Sequence, residues 1–329
     1  MEKKQDNLME ISDLTVRYNT DDAVVHAVNN FNLKLVRGEA RGLVGETGAG
    51  KTTLALSILR LLPERVGEVA GGSIVYDGQE LLKLPEAEML PLRGKRISMI
   101  FQDPMTSLNP TQTVGDQILE VLNLHFPEMT RDEKIKRVDE MMTLVGIPPQ
   151  RKNSFPHEFS GGMKQRIVIA MALVAEPELL LADEPTTALD VTIQAQILEL
   201  MKQLRVKFNT SVMLITHDLG VVAQFCDSVS VVYAGRVVEY GPVETVFQRK
   251  ENHPYTAGLF SCIPNLHDDQ PRLHPIPGHM ADPRVEYTGC CFADRCEYAT
   301  ERCRTEAPTM HVCGEHGIMC HRYADKEDF

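Results

Sequence analysis

The stretch GLVGETGAGKTT, Gly42 to Thr53, decides how this chain is read. A short apolar strand leads into it and the helical run TTLALSILRLL leaves it. Gly45, Gly50, Lys51 and Thr52 stand at the spacing G-x-x-x-x-G-K-T. Glycines so placed let backbone N–H groups turn inward around phosphate oxygens, and the helix start adds the positive end of its dipole. The predicted cradle runs through Gly45, Glu46, Thr47, Gly48, Ala49, Gly50, Lys51, Thr52 and Thr53. In it Lys51 would reach the β- and γ-phosphates and the Thr52 hydroxyl would ligate Mg²⁺. The bland alternative is a glycine-rich turn with a chance lysine; a strand before and a helix after argue against it.

A nucleotide site with Mg²⁺ also needs a carboxylate, and LLLADEP supplies two at the end of an apolar strand. Asp183 is placed to hold Mg²⁺ and Glu184 to polarise the water that attacks the γ-phosphate. Alone, such a pair is as readily a helix cap or a solvated loop. In company with the glycine loop, the catalytic reading wins. A second anion cradle is spelled by FSGGMKQR, Phe159 to Arg166. Ser160, Gly161 and Gly162 open a helix whose apolar positions Ile167, Ala170, Met171 and Val174 keep helical spacing. Its first N–H groups are open to an anion, although a plain Ser160 cap would give the same three letters.

The bulk numbers narrow the class. The chain has 329 residues, 43% hydrophobic and 24% charged, with a formal charge of −12. That charge argues against nucleic acid as a partner and against direct binding to an anionic bilayer. The opening MEKKQDNLMEIS lacks the apolar core of a secretory signal, and no run approaches the ~20 apolar residues of a membrane span. A cytoplasmic setting with reduced thiols is the expectation.

Along the chain, Met9–Tyr18, Ala27–Val36 and Gly71–Leu81 read as strands, the last with a tight turn at Asp77-Gly78. Gln112 to Val145 turns helical. Leu179–Ala182 and Ser211–Thr216 read as strands buried on both faces, joined through a helix over Val191–Leu204. A hairpin over Ser228–Tyr240 follows. Beyond about Arg249 helical periodicity fades and Pro254, Pro264, Pro271, Pro275, Pro277 and Pro283 accumulate, so a domain boundary is expected there. The resulting division is 1–249 and 250–329.

With these motifs in this order, residues 8 to 250 resemble the ATP-binding subunits of ABC transporters. FSGGMKQR resembles the family's signature, usually LSGGQ, with Phe159 for Leu and Met163 for Gln. The resemblance implies an α/β P-loop NTPase fold of ABC type. Its parts would be an N-terminal antiparallel β subdomain, a helical signature subdomain at about 103–176 and a small cysteine-rich C-terminal extension. It makes Gln102 in IFQDP the Q-loop residue, a further Mg²⁺ ligand that reports to the membrane partner. Asp190 in TTALD would be the D-loop residue, and His217 in LITHD the switch histidine, which alone would more often be structural. Tyr18 is the candidate to stack on adenine, though an exposed strand-end tyrosine fits nearly as well. ATP hydrolysis would be shared between two copies, the signature of one closing over ATP on the glycine loop of the other. The second copy is this chain or a similar ATPase.

The tail resembles the extension of oligopeptide and dipeptide importer ATPases through ENHPYTAGLFSCIP, HPIPG and GCCFADRC; DPMTSLNP after Gln102 points the same way. Relatives serving nickel and other small solutes share it. The implied partners are two membrane permease subunits and, indirectly, an extracellular solute-binding protein, with the ATPase peripheral on the cytoplasmic face. Six of the eight cysteines fall between 290 and 320. Cys290, Cys296, Cys303 and Cys320 form C-x5-C-x6-C-x16-C, the frame of that extension. Four thiolates in a reducing compartment point to a metal. The frame lacks the tight pairs of structural zinc, so a [4Fe–4S] cluster is expected, with zinc or bare thiols as alternatives. Cys291 and Cys313 are extras, and Cys313, flanked by His311 and His316, could replace Cys320. Two rivals are a soluble ABC-type ATPase of repair or translation and an iron–sulfur regulator with a degenerate ATPase. The first lacks its paired cassettes or coiled-coil insertions here; the second is disfavoured by the presence of Lys51, Asp183, Glu184 and His217.

Overall fold

The computed structural model describes residues 6–187, 189–249, 251–263 and 275–324. Pro264, Pro271 and His274, singled out in the tail, and Ala188 of TTALD lie outside the described residues. The main elements begin with β1 (Asn7–Asn19), β2 (Val24–Val36), β3 (Ala40–Val44), α1 (Lys51–Ile58) and β4 (Gly67–Tyr76). Then come β5 (Ile97–Ile100), α2 (Val114–His125), α3 (Arg131–Leu144), α4 (Gly161–Leu173) and β6 (Leu179–Asp183). Next are α5 (Val191–Phe208), β7 (Ser211–Thr216), α6 (Leu219–Phe225), β8 (Ser228–Tyr233) and β9 (Arg236–Pro242). The tail adds α7 (Pro254–Ser261), β10 (Met310–Cys313) and β11 (His316–Met319).

The chain divides into two compact units, one built mainly from Asp77–Ile215 with Leu35–Ala40, the other from Met9–Lys34, Arg41–Tyr76 and everything after Thr216. In the first, β5, β6 and β7 run parallel, Ile97 opposite Leu179 and Leu179 opposite Ser211. Every residue of β6 and β7 is buried, as strands covered on both faces require. Helices α2 to α4 form the helical part. Thr113 caps α2 by accepting from the Asp116 N–H, and Thr130 with Glu133 makes a reciprocal capping box on α3.

In the second unit, β1 pairs antiparallel with β4 and also neighbours β2, giving the expected N-terminal antiparallel sheet. Asp77 and Gly78, both at positive φ (48° and 77°), make the turn that closes β4. A mixed sheet forms around β8: parallel to β3, antiparallel to β9, with β9 antiparallel to β11 and β11 to β10.

Past Arg249, where helical periodicity fades in the sequence, the short α7 forms because Pro254 supplies a preset φ at its first turn and the His253 ring accepts from the Tyr255 N–H. Phe292 packs against Tyr233, Tyr255 and His253, with ring centres 5.2, 5.5 and 5.8 Å apart, and Ile318 and Tyr323 are buried. The tail falls in the same compact unit as the glycine loop.

Candidate nucleotide site and cysteine site

The glycine loop leaves β3 and turns under constraints that only glycine meets at two points. A Cβ on Gly45 would lie 2.1 Å from the Val232 carbonyl oxygen, and one on Gly50 2.1 Å from that of Ala27. Gly50 also sits at φ 94°, in the left-handed region, as the N-cap of α1. The first turn of α1 holds no acidic residue, so its positive end is uncompensated by a side chain. Lys51, only 6% exposed, donates from Nζ to the carbonyls of Gly45 (2.6 Å) and Glu46 (2.9 Å). The ammonium thus stands inside the loop and holds it closed. Tyr18 donates its hydroxyl to Thr53 Oγ1 at 3.1 Å, which puts the candidate adenine partner against the start of α1. Thr52 is exposed. His217, just beyond β7, is exposed as well, and Asp218 next to it caps α6.

The other unit carries the remaining candidates. Asp183 ends β6 and is 2% exposed. Glu184 takes φ 47°, a left-handed conformation that costs an L-residue roughly 1–2 kcal/mol. Its N–H donates to the Ile215 carbonyl at 2.8 Å, which holds it there. Its carboxylate accepts from Gln102 Nε2 (3.2 Å) and Thr187 Oγ1 (2.8 Å). The structure therefore brings the Q-loop candidate and the candidate base into contact. Asp190 serves as N-cap of α5, accepting from the Ile193 N–H at 3.0 Å.

Ser160 is the N-cap residue of α4 in backbone conformation, yet its side chain makes no capping hydrogen bond. The plain-cap reading of Ser-Gly-Gly is thereby lost. Ser160 and Gly161 are exposed at a helix start with no acidic residue in its first turn. Gly162 has a packing reason of its own: a Cβ there would meet Ile193 Cγ2 at 2.6 Å. Phe159, in the leucine position, is buried under the Arg151 guanidinium, 3.9 Å from the ring centre.

All eight cysteines are free thiols. Cys290, Cys296, Cys303 and Cys320 line one small cavity together with His253, Phe292 and Pro308. Burial pushes the Cys290 thiol up to about 12, and neighbouring thiols, Cys320 and Cys303 among them, add to it. Burial also raises Cys296 and Cys320. Such thiols are poor nucleophiles, which argues against a catalytic cysteine. Cys313 does not line the cavity; it ends β10 opposite His316, whose ring is turned to Glu239 Oε1 at 2.8 Å. Among the described residues, no group of three or more His, Cys, Asp and Glu side chains stands close enough to hold a metal ion.

Sequence reasoning passed over Arg295 and Tyr255, both of which touch Glu46 of the glycine loop. The signal for Arg295 lay inside CCFADRC, where the cysteines drew the attention. Glu239, fully buried, was also missed; it accepts from Asn252 Nδ2 and the His253 N–H besides meeting His316.

Residues 28–187 match the family model described as ABC transporter, and residues 238–303 the one described as oligopeptide/dipeptide transporter, C-terminal region. The chain is 47% identical over 323 residues to a probable peptide ABC transporter ATP-binding protein of Sinorhizobium fredii, covering 97% of this chain and 96% of that one. It is 46% identical to the oligopeptide transport ATP-binding protein OppD of Haemophilus influenzae, covering 98% of each. Among solved structures it is similar to an ATP-binding cassette captured as a dimer in a post-hydrolysis state with ADP and Pi. There the TM-score is 0.64 at 27% identity, over 71% of this chain and 98% of that one. A cassette of Clostridium perfringens, part of an ABC transporter complex, gives TM-score 0.64 at 30% identity, over 75% of this chain and 92% of that one.

Proposed function

The chain belongs to the ABC transporter ATP-binding family and carries that family's oligopeptide/dipeptide C-terminal region; from this we propose that it hydrolyses ATP to power uptake of oligopeptides or dipeptides. The observation that carries the proposal is the joint presence of a closed, lysine-filled glycine loop and the importer extension in one chain that matches named peptide-transport ATPases nearly end to end. In this reading the cradle Gly45–Thr53 binds the triphosphate and Tyr18 meets adenine. Thr52, Asp183 and Gln102 fit Mg²⁺ as hard oxygen donors, and the metal would supply charge neutralisation at the phosphates. Glu184 takes the proton of the attacking water, and His217 orients water and γ-phosphate.

A second ATPase, this chain or a cousin, supplies the Ser160–Gly162 turn and Asp190 to the same nucleotide. Support for a dimer comes from the dimeric cassette that the fold resembles. Two permease subunits in the membrane and an extracellular binding protein complete the assembly, with this chain peripheral on the cytoplasmic face. No described helix is long and apolar enough to cross a membrane. The test is reconstitution with the neighbouring permeases and binding protein in vesicles: di- and oligopeptides are expected to stimulate hydrolysis and to accumulate. Accumulation of nickel instead would move the cargo within the family, and hydrolysis indifferent to the permeases would favour a soluble ATPase.

For the cysteine site we propose a [4Fe–4S] cluster on Cys290, Cys296, Cys303 and Cys320. Its support is that these four, without Cys313, line one small cavity, although they do not stand at ligating distance from one another there. Thiols must shed their protons to ligate, and a cluster would supply the positive charge that holds them as thiolates. Protein purified without oxygen is expected to be brown and to contain about four irons and four acid-labile sulfides per chain. Stoichiometric zinc without sulfide, or a colourless metal-free chain, would rule the cluster out.

A further inference from the structure

Glu46 places a carboxylate within the loop expected to take a triphosphate, where like charge is costly. The extension answers that charge. Arg295 donates two parallel hydrogen bonds to it, Nη1 to Oε2 at 2.7 Å and Nη2 to Oε1 at 3.1 Å. The Arg295 side chain is 5% exposed, and its Nε donates to the Pro277 carbonyl at 2.9 Å. Its backbone belongs to the turn between Cys290 and Cys296, with the Arg295 N–H on the Phe292 carbonyl. A second hold comes from Tyr255, whose hydroxyl accepts from the Glu46 N–H at 2.9 Å. The Glu46 carbonyl meanwhile takes Lys51. When Lys51 leaves that carbonyl to meet phosphate, the holds on Glu46 from the extension remain.

We propose that Arg295 is a positioning residue of the nucleotide site: it neutralises Glu46 and fixes the glycine loop in a phosphate-accepting shape, so the cysteine-bearing extension sets the affinity for MgATP. This rests on the reading of Gly45–Thr53 as the nucleotide cradle. A bidentate arginine–carboxylate pair with its guanidinium buried is both strong and directional, and loss of one partner leaves the other's charge exposed to whatever lies beside it. Here what lies beside it is the phosphate loop.

The test is a mutant cycle on the full-length protein, read by KM and kcat for MgATP, by binding of a fluorescent ATP analogue, and by the melting midpoint. Arg295→Ala is expected to weaken MgATP about 10- to 100-fold, with kcat at saturation changed less than about threefold. In the Glu46→Gln background, where no carboxylate needs an answer, adding Arg295→Ala is expected to change affinity by less than about threefold. Arg295→Lys, which keeps charge but not the fork, should recover part of the affinity and not all of it. An Arg295→Ala chain that binds MgATP like wild type overturns the proposal. So does an equal loss in both backgrounds, or an Arg295→Lys chain as weak as Arg295→Ala, since either makes the pair a mere staple. A wild-type chain that binds no MgATP would overturn the cradle reading itself, a result none of the other outcomes imitates.

Discussion

Glu184→Gln is expected to slow ATP hydrolysis by at least about 100-fold while leaving MgATP bound, the range typical of a lost general base. The structure makes this substitution clean. The carboxylate is presented by a strained backbone at φ 47° and oriented by Gln102 and Thr187. Glutamine has the same length and keeps one oxygen for those donors, so geometry survives and basicity does not. Phosphate release in steady state, set against binding of a fluorescent ATP analogue, separates the two effects. Turnover at the wild-type rate would remove Glu184 from the chemistry.

Lys51→Ala is expected to cost still more, because two roles go together. The ammonium braces the loop through the Gly45 and Glu46 carbonyls, and in the proposed function it also meets the phosphates. Loss of one well-placed donor to a developing phosphoryl charge lowers turnover by about 100- to 1,000-fold, and here the loop loses its brace too. MgATP binding and hydrolysis should both fall, read by the same analogue and the same phosphate assay. A variant that binds and turns over normally would remove the glycine loop as the cradle.

What the sequence made legible was whatever local pattern controls. The glycine loop, the buried strands at Leu179–Asp183 and Ser211–Thr216, and the helix after Ser160 announce themselves through spacing and apolar runs. Contacts between distant residues carry no such mark. Gln102 meeting Glu184, Tyr18 meeting Thr53 and Arg295 meeting Glu46 span 82, 35 and 249 positions. In the tail the cysteines hid an ordinary helix and hairpin: α7 has eight residues and β10–β11 only four each, too short to show a period. Which cysteines line one cavity is likewise visible only in three dimensions: Cys290, Cys296, Cys303 and Cys320 do.

The hairpin β10–β11 has a further consequence. By laying β11 along β9, Glu239 opposite Ile318, the chain occupies the outer side of a strand that would otherwise offer its backbone donors and acceptors to any passing strand. It also covers Glu239, which would lose its His316 partner. A version shortened before Met310 would bare a sticky sheet margin with a stranded carboxylate in its middle, and clumping rather than lost catalysis would be its first defect.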